Sequence, residues 1–184
     1  MKKKYKEEEI LIMLKNKKEK SKAFSMIVEE YSQQLYWQIR KMLISHDDSN
    51  DVLQETFIKA WRAIENFRGD AKLSSWLYRI AVNESLSFLN AQRRKHTFTL
   101  LEVEDLLIER LESDAYFSED EAQMKLQKAI LQLPEKQRLV FNMKYFDDLK
   151  YEEISEILGV TVGGLKASYH IASKKIKKYL LSEH

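Results

Sequence analysis

Turn-forming residues are scarce in this chain, and this scarcity constrains its fold more than any other feature. Only 4 glycines and 1 proline occur among 184 residues. A sheet protein of this length needs many tight turns, and such turns depend on glycine and proline. The count therefore predicts an all-α fold with long helices. It also excludes the common glycine-rich phosphate loops, since neither GxGxxG nor GxxxxGK[ST] occurs.

Apolar residues recur at helical spacing along most of the chain. The longest stripe consists of Phe24, Ile27, Val28, Tyr31, Leu35, Ile39 and Met42. A second stripe predicts a helix with a core face of Leu53, Phe57, Ala60 and Ile64. A third runs through residues 73–89. Ser118 and Glu121 have the spacing of a capping box and predict the start of a further helix, which Pro134 ends.

Charge is distributed unevenly. Residues 1–95 carry 19 basic and 13 acidic side chains, residues 96–120 carry 1 and 8, and residues 121–184 carry 11 and 8. We therefore expect two small helical domains, 1–95 and 121–184, joined by a flexible acidic linker, 96–120, with a short helix at 103–111. The acidic segment is a solvated linker, a spacer that keeps the two basic blocks apart, or a shield for their charge within the same chain.

Several classes of site are excluded by composition. The chain has no cysteine, so it has no disulfides, thiolate catalysis or cysteine metal sites. Its histidines are far apart in sequence and none has a partner at helical ligand spacing, so we expect no histidine metal site: His46, His96, His170 and His184. We expect no cofactor and no metal. No apolar run approaches the roughly 20 residues of a membrane helix, and no signal-peptide core follows the basic start. We expect a cytoplasmic protein without membrane insertion.

A helix-turn-helix is predicted near the C-terminus. Tyr151, Ile154 and Leu158 form one face of a short helix. Gly159 then suits a position that needs a positive φ, and Thr161 is a good N-cap for the next helix. A short helix, a tight turn and a longer helix are typical of DNA-binding helix-turn-helix units. A helical hairpin with a glycine turn is the alternative.

The second helix of this unit carries a polar and basic outer face. Its lysines, Lys174, Lys175, Lys177 and Lys178, either contact phosphates or complement the helix dipole. His170 offers a hydrogen bond to a base edge, and exposed Ile171 suits a thymine methyl group or a protein contact.

An aromatic and basic segment lies further upstream. A basic run, Arg93, Arg94 and Lys95, has aromatic residues on both sides of it in the sequence. Three precede it, Trp76, Tyr78 and Phe88, and Phe98 follows it. Asn83 adds a side-chain amide. Aromatic rings among basic side chains suit the binding of unstacked bases, because the rings stack on the bases and the cations contact the backbone. The alternative is that these aromatic residues, which recur at helical spacing, form part of the protein core.

These residues carry a family resemblance. Residues 47–95 resemble region 2, and residues 131–180 resemble region 4, of the extracytoplasmic-function (ECF) sigma factors of bacterial RNA polymerase. The resemblance implies that helix 51–64 binds the polymerase clamp, that residues 72–95 melt and read the promoter −10 element, and that the second helix of the helix-turn-helix reads the −35 element.

The resemblance assigns three sets of contact residues. The polymerase-binding set is Asp51, Gln54, Glu55, Ile58 and Arg62. The −10 set is Lys72, Trp76, Arg79, Asn83, Ser87, Arg93, Arg94 and Lys95. The −35 set is Gly164, Lys166, Ala167, His170, Ile171, Lys174 and Lys175.

The chain departs from the family pattern at several of these positions. Family members often have an Asp and a basic residue where this chain has Ser87 and Asn90. This difference shifts the expected contacts with the DNA backbone toward Arg93, Arg94 and Lys95. In the second helix of the helix-turn-helix, family members commonly have a Thr, a Ser and three Arg at five positions. This chain has other residues there: Gly164, Ala167, Ser168, Ile171 and Ser173. Fewer cations predict fewer phosphate contacts and a weaker salt dependence. Lys150 stands where a Ser N-cap is usual, which predicts a less firmly started helix.

The expected protein is not an enzyme. Its expected partners are core RNA polymerase, promoter DNA and an anti-sigma factor, and we expect a monomer when free. One alternative is a polymerase-independent helix-turn-helix regulator that binds a palindrome as a dimer. Another is a helical nuclease using Asp47, Asp48 and Asp51, although acids in a first helical turn also complement the helix dipole.

Overall fold

The computed structural model describes residues 5–67, 69–96, 100–114 and 120–182, and within these ranges the chain is helical. The α-helices are α1 Glu7–Leu14, α2 Lys20–Leu43, α3 His46–Ala63, α4 Leu73–His96, α5 Leu100–Ser113, α6 Glu121–Leu131, α7 Glu135–Tyr145, α8 Tyr151–Leu158 and α9 Val162–Ser182. A short 3₁₀ turn, Ile64–Asn66, follows α3. The predicted all-α class is confirmed.

Helices α1 to α4 form the N-terminal bundle. The predicted stripe on α2 is its centre, with Ile27, Leu35 and Ile39 fully buried. The α3 face that points inward differs slightly from the prediction. Its most buried residues are Val52, Thr56, Ala60 and Ile64, whereas Leu53 and Phe57 are only half-buried at the edge of the core. The hydroxyl of Thr56 donates to the carbonyl of Val52, which lets a polar residue face the core.

Two side chains cap the helices that carry the candidate sites. Ser45 Oγ accepts a hydrogen bond from the amide of Asp48 at 3.2 Å and starts α3. Glu7 Oε1, from α1, accepts the amide of Leu73 at 2.7 Å. Helix α1 therefore caps α4 from outside its own segment.

Helices α6 to α9 form the C-terminal bundle. The predicted cap at Ser118 is wrong as the start of α6, because Asp120 holds the N-cap position and its Oδ1 accepts the amides of Ala122 and Gln123. Ser118 itself lies outside the described residues. Pro134 precedes α7 as predicted. The core includes Ile130, Leu133, Phe141, Ala172 and Ile176.

The predicted helix-turn-helix is confirmed. Helix α8 ends at Gly159, whose φ of 67° lies in the left-handed region that glycine adopts without strain. Thr161 Oγ1 accepts the amide of Gly164 at 3.3 Å and so caps α9. Helix α8 begins at Lys150, whose amide donates to Glu153 Oε2 at 2.9 Å. Because an ammonium has no acceptor, Lys150 supplies only this half of a capping box.

The acidic linker contains a 14-residue helix, α5, longer than the predicted 103–111. Leu107 and Leu111 are buried against Ile44 and Leu131, so α5 contacts both bundles. Arg110 pairs with Asp48 at 2.7 Å on the N-terminal side. Lys128 pairs with Glu112 at 2.5 Å on the C-terminal side.

The two bundles also contact each other directly. Leu139, Met143, Ile154 and Ile157 belong to the same continuous apolar cluster as the core of α2 and α4. No helix within the described ranges is long and apolar enough to cross a membrane.

Candidate polymerase and nucleic-acid interfaces

The predicted polymerase-binding residues share the outer face of α3. Asp51, Gln54, Ile58 and Arg62 are exposed and Glu55 is half-buried. Ile58 is 43% exposed, and Trp61 beside it is also exposed. An exposed apolar side chain surrounded by acids, an amide and a cation is a suitable surface for a protein partner.

The predicted −10 residues form one stripe along α4. Lys72, Arg79, Asn83, Ser87 and Arg94 are exposed, and Trp76 and Arg93 are half-buried. Together with Asn90, the positions from Lys72 to Arg94 recur at three- and four-residue steps, which places them on one side of a helix, with Arg93 next to that line. The side chain of Lys95 lies outside the described residues. We call this set, with Asn90, the α4 stripe.

Only part of the predicted aromatic surface belongs to this stripe. Trp76 packs with Phe67, with ring centroids 5.1 Å apart. The assignment of Tyr78 to a stacking surface is wrong, because Tyr78 is 1% exposed and lies in the core. Its burial raises the pKa of the phenol well above its usual value. Phe88 packs half-buried against the same core, and Phe98 lies outside the described residues.

The predicted −35 residues lie on the outer face of α9. Each of them is exposed: Gly164, Lys166, Ala167, His170, Ile171, Lys174 and Lys175. Two of the lysines have neighbours on the protein. Lys166 Nζ lies 5.8 Å from the ring centroid of Tyr151, and Lys175 Nζ donates to Gln137 Oε1 at 3.1 Å. Lys174 therefore offers its ammonium to phosphate more freely than Lys175 does.

Three cations of the α4 stripe contact the C-terminal bundle. Lys72 Nζ lies 2.6 Å from Glu153 Oε1, and Arg93 Nη2 lies 3.0 Å from Glu135 Oε2. The Arg79 guanidinium donates to the backbone carbonyl of Glu156. The hydrogen bond from Lys72 lowers the pKa of Glu153, and the same contact raises the pKa of Lys72. The amino-acid sequence alone does not mark Glu135 and Glu153 as partners of these cations, since acids in a first helical turn fit a dipole role equally well.

A buried ion pair joins the bundles nearby. The Lys41 ammonium of α2 contacts the Asp147 carboxylate, which follows α7. Burial raises the pKa of Asp147, and Lys41 opposes that rise.

Asp48, near the start of α3, has two structural contacts. Its amide donates to the N-cap oxygen Ser45 Oγ, and its carboxylate pairs with Arg110. Within the described part of the chain, no group of three or more His, Cys, Asp or Glu side chains is arranged to hold a metal ion.

Comparison with family models places two known regions on the chain. Residues 27–95 match Sigma-70 region 2. Residues 123–176 match Sigma-70, region 4. The first match spans α2 to α4 and the second spans α6 to α9.

Curated relatives match nearly the whole chain. The ECF RNA polymerase sigma factor SigW of Bacillus subtilis is 33% identical over 175 residues, covering 89% of this chain and 92% of the relative. The ECF RNA polymerase sigma-E factor of Escherichia coli is 33% identical over 165 residues, covering 84% and 85%. The RNA polymerase sigma-H factor of Pseudomonas aeruginosa is 32% identical, covering 86% of each chain.

Solved structures share the fold. CnrH, in complex with the cytosolic domain of CnrY, superposes with a TM-score of 0.69 at 20% identity, over 95% of this chain and 96% of that one. The sigma factor RpoE of Bartonella quintana, in complex with the anti-sigma factor NepR, gives 0.67 at 20% identity, over 89% and 99%. The two family matches and the relatives above 30% identity show that the chain belongs to the extracytoplasmic-function sigma factors of bacterial RNA polymerase.

Proposed function

We propose that this protein binds core RNA polymerase, directs it to a restricted set of promoters and opens the DNA at the start site. The observation that carries the proposal is the presence of region 2 and region 4, in that order, on one chain whose three predicted contact sets lie on three different helices, with most of their described side chains exposed. The protein makes and breaks no covalent bond in this role.

The polymerase contact is the outer face of α3. Ile58 supplies apolar area, and Gln54, Glu55 and Arg62 supply groups that fix the register of a partner helix. Asp51 extends the same face toward the start of α3.

The α4 stripe reads the −10 element as single-stranded DNA. An unpaired base costs a few kcal/mol to withdraw from the duplex, and stacking together with cation contacts offsets that cost. Trp76 supplies a ring, Asn83 an amide for a base edge, and Arg79 and Arg94 cations for the backbone. The basic residues at the end of α4 continue this path.

The outer face of α9 reads the −35 element as duplex DNA. Lys166 and Lys174 position the helix on phosphates, and His170 and Ile171 face the base edges. With few cations on this face, DNA shape contributes a larger share of the recognition.

We further propose an anti-sigma factor as a regulatory partner, because two sigma factors that share this fold were solved in complexes, one with the anti-sigma factor NepR and one with the cytosolic domain of CnrY. The proposed site of action is the cytoplasm, and the proposed free form is a monomer.

Promoter-directed transcription with core polymerase tests the proposal. Purified protein and the core enzyme of its own host are incubated with a library of genomic fragments, and run-off transcripts are sequenced. We expect transcripts that begin at a common pair of upstream elements. Absence of any promoter-dependent transcript would overturn the proposal and would favour a regulator that acts without polymerase.

A second experiment locates the polymerase contact. Gln54→Ala/Glu55→Ala should weaken co-elution with core polymerase on size exclusion. Glu8→Ala/Glu9→Ala changes two exposed acids on α1 and is the control, which should co-elute like wild type. Equal co-elution of both variants would remove α3 from the proposed contact.

A further inference from the structure

The turn that joins α1 to α2 is strongly basic. Residues 15–22 hold five lysines and one glutamate, so this stretch carries a net charge of +4. None of these lysines belongs to the polymerase-binding, −10 or −35 sets. A surface of this charge attracts phosphate groups. The five residues are Lys15, Lys17, Lys18, Lys20 and Lys22.

The backbone of this lysine turn is ordered by Asn16. Its Oδ1 accepts the amide of Lys18 at 3.1 Å, and its Nδ2 donates to Glu19 Oε2 at 3.0 Å. The Glu19 amide in turn donates to the Asn16 carbonyl at 2.9 Å. The acid of the turn is thus engaged by an amide, and the lysines are arranged around a hydrogen-bonded loop.

Four of the five lysines are exposed: Lys15, Lys17, Lys18 and Lys22. Lys20 is the exception, since its Nζ lies 2.6 Å from Glu65 Oε1 and 4.5 Å from the ring centroid of Trp61. In the described part of the chain, no ion pair engages the other four. Their ammonium groups therefore face solvent and can contact a partner.

A cavity of about 420 Å³ connects the lysine turn to the loop that precedes α4. It is lined by Lys15 and Lys17 from the turn and by Phe67 and Gly69 from the loop. Phe67 also packs with Trp76, with ring centroids 5.1 Å apart. The lysine turn therefore lies beside the N-terminal end of the α4 stripe.

The order of the chain gives the α4 stripe a direction on DNA. The linker begins at the C-terminal end of α4 and leads to α9, the proposed reader of the −35 element. Because the −35 element lies upstream of the −10 element, the C-terminal end of α4 faces upstream and its N-terminal end faces downstream. The lysine turn is therefore placed where a separated strand leaves the −10 element toward the start site.

We propose that the lysine turn binds the phosphate backbone of the single DNA strand immediately downstream of the −10 element. Lys15 and Lys17 contact it at the rim of the cavity, and Lys18 and Lys22 extend the charged surface. The contact carries no base preference, because an ammonium group on a phosphate positions the strand without reading it. It stabilises opened DNA by lengthening the path of cations along the strand. This inference deepens the proposed function and rests on it for the place of the −10 element on α4.

The test variant is Lys15→Gln/Lys17→Gln, which removes the two charges at the cavity. The matched control is Lys136→Gln/Lys150→Gln, which removes two charges from exposed positions of the C-terminal bundle. Each protein is combined with core polymerase. The ligands are two fluorescein-labelled single strands from a promoter found by run-off sequencing. One ends with the −10 element and the other continues to the start site. Both are non-template strands, because the template strand must reach the active site of the polymerase.

The first measurement is the slope of log affinity against log salt, obtained by anisotropy. On the longer strand, the test variant should reduce the slope by about 1.4, because each phosphate contact to single-stranded DNA contributes about 0.7. On the shorter strand, the test variant should have the wild-type slope. The control should have the wild-type slope on both strands. An unchanged slope on the longer strand, or an equal loss on both strands, would overturn the inference.

The second measurement locates the turn on DNA. Since the chain has no cysteine, Lys17→Cys gives a unique position for p-azidophenacyl bromide, which is attached before core polymerase is added. Irradiated open complexes should show crosslinks to the non-template strand between the −10 element and the start site. Lys136→Cys should give none there. Crosslinks of Lys17→Cys to polymerase alone, together with weaker co-elution of the test variant, would overturn the inference in favour of a protein contact.

A failure of the proposed function has a different signature. In that case wild type itself gives no promoter-dependent transcript with core polymerase and binds neither strand in its presence. If only the lysine turn is misassigned, wild type transcribes from promoters and the test variant behaves like wild type on both strands.

Discussion

Asp147 and Lys41 form a contact between the turn after α7 and helix α2, with side chains only 8% and 13% exposed. The Lys41 ammonium also lies 5.0 Å from the ring centroid of Phe146. Asp147 Oδ2 has no hydrogen-bond partner among the described residues. A charged pair in such a site is costly to break from one side, because the remaining charge stays buried.

Asp147→Asn should therefore lower the free energy of unfolding, because Lys41 keeps its charge without a counter-charge. Burial raises the pKa of Asp147 and so offsets part of the attraction, and the loss should stay below the roughly 3–5 kcal/mol typical of a broken buried pair. Lys41→Met/Asp147→Asn should cost less than the two single changes together, with a coupling of about 1 kcal/mol. Urea denaturation of the four proteins measures this. Asp148→Asn is the control, because Asp148 is exposed and its pair with Lys144 is long, at 3.4 Å. Additive single and double changes would contradict the prediction.

The pair of Lys72 and Glu153 should make stability depend on pH. The pKa of Glu153 is lowered from 4.5, first by the hydrogen bond from Lys72. An acid with a lowered folded-state pKa stabilises the protein fully above its ordinary pKa, and this contribution is lost as the pH falls through the folded value.

The difference in unfolding free energy between wild type and Glu153→Gln should therefore be present at neutral pH and shrink as the pH falls below 4.5. Urea denaturation across this range measures it. Glu152→Gln is the control. Its unfolding free energy should stay close to that of wild type across the same pH range. A difference for Glu153→Gln that is constant with pH would contradict the assigned charge contact.

Gly159 should be intolerant of a side chain for reasons of backbone conformation alone. Its φ is 67°, and a Cβ added there meets nothing within 4 Å. Gly159→Ala should cost about 1 kcal/mol in urea denaturation, the typical penalty of a left-handed position. Gly159→Asn should cost less, because asparagine adopts this conformation more readily. A larger cost for asparagine than for alanine would indicate a steric cause.

Neighbouring lysines on α9 should differ in their contribution to DNA binding. Lys174→Ala should reduce the slope of log affinity against log salt by about 1, the effect of one phosphate contact. Lys175→Ala should change the slope less, because Lys175 donates to Gln137 on the protein. Binding to a duplex promoter fragment over a range of salt concentrations measures both. Equal slopes would show that the Gln137 contact breaks on binding.

Local structure was largely predictable from the sequence. The α2 stripe, the turn at Gly159 and the cap at Thr161 each depend on residues within a few positions of one another. The −10 positions on α4 came from the family resemblance, and the structure places most of them on the exposed side of that helix. On α3, Ala60 and Ile64 are buried as predicted, whereas Leu53 and Phe57 lie half-buried at the edge of the core and Val52 and Thr56, one position earlier, are buried.

Contacts between distant segments were not predictable in this way. Lys72 and Glu153 are separated by 81 positions, and nothing in the local sequence of either residue specifies the other. The burial of Tyr78 could not be predicted from its local sequence either. Its spacing allows either a core or a surface role, and only the packing of the bundle decides that it is buried.

The helical form of α5 limits the distance that this part of the connection between the two bundles can span. As a helix, its 14 residues span about 21 Å, whereas an extended chain of that length reaches about 46–50 Å. Leu107 and Leu111 hold it in the shorter form through their burial against Ile44 and Leu131. Burial of these two leucines therefore favours the shorter, helical span between the bundles.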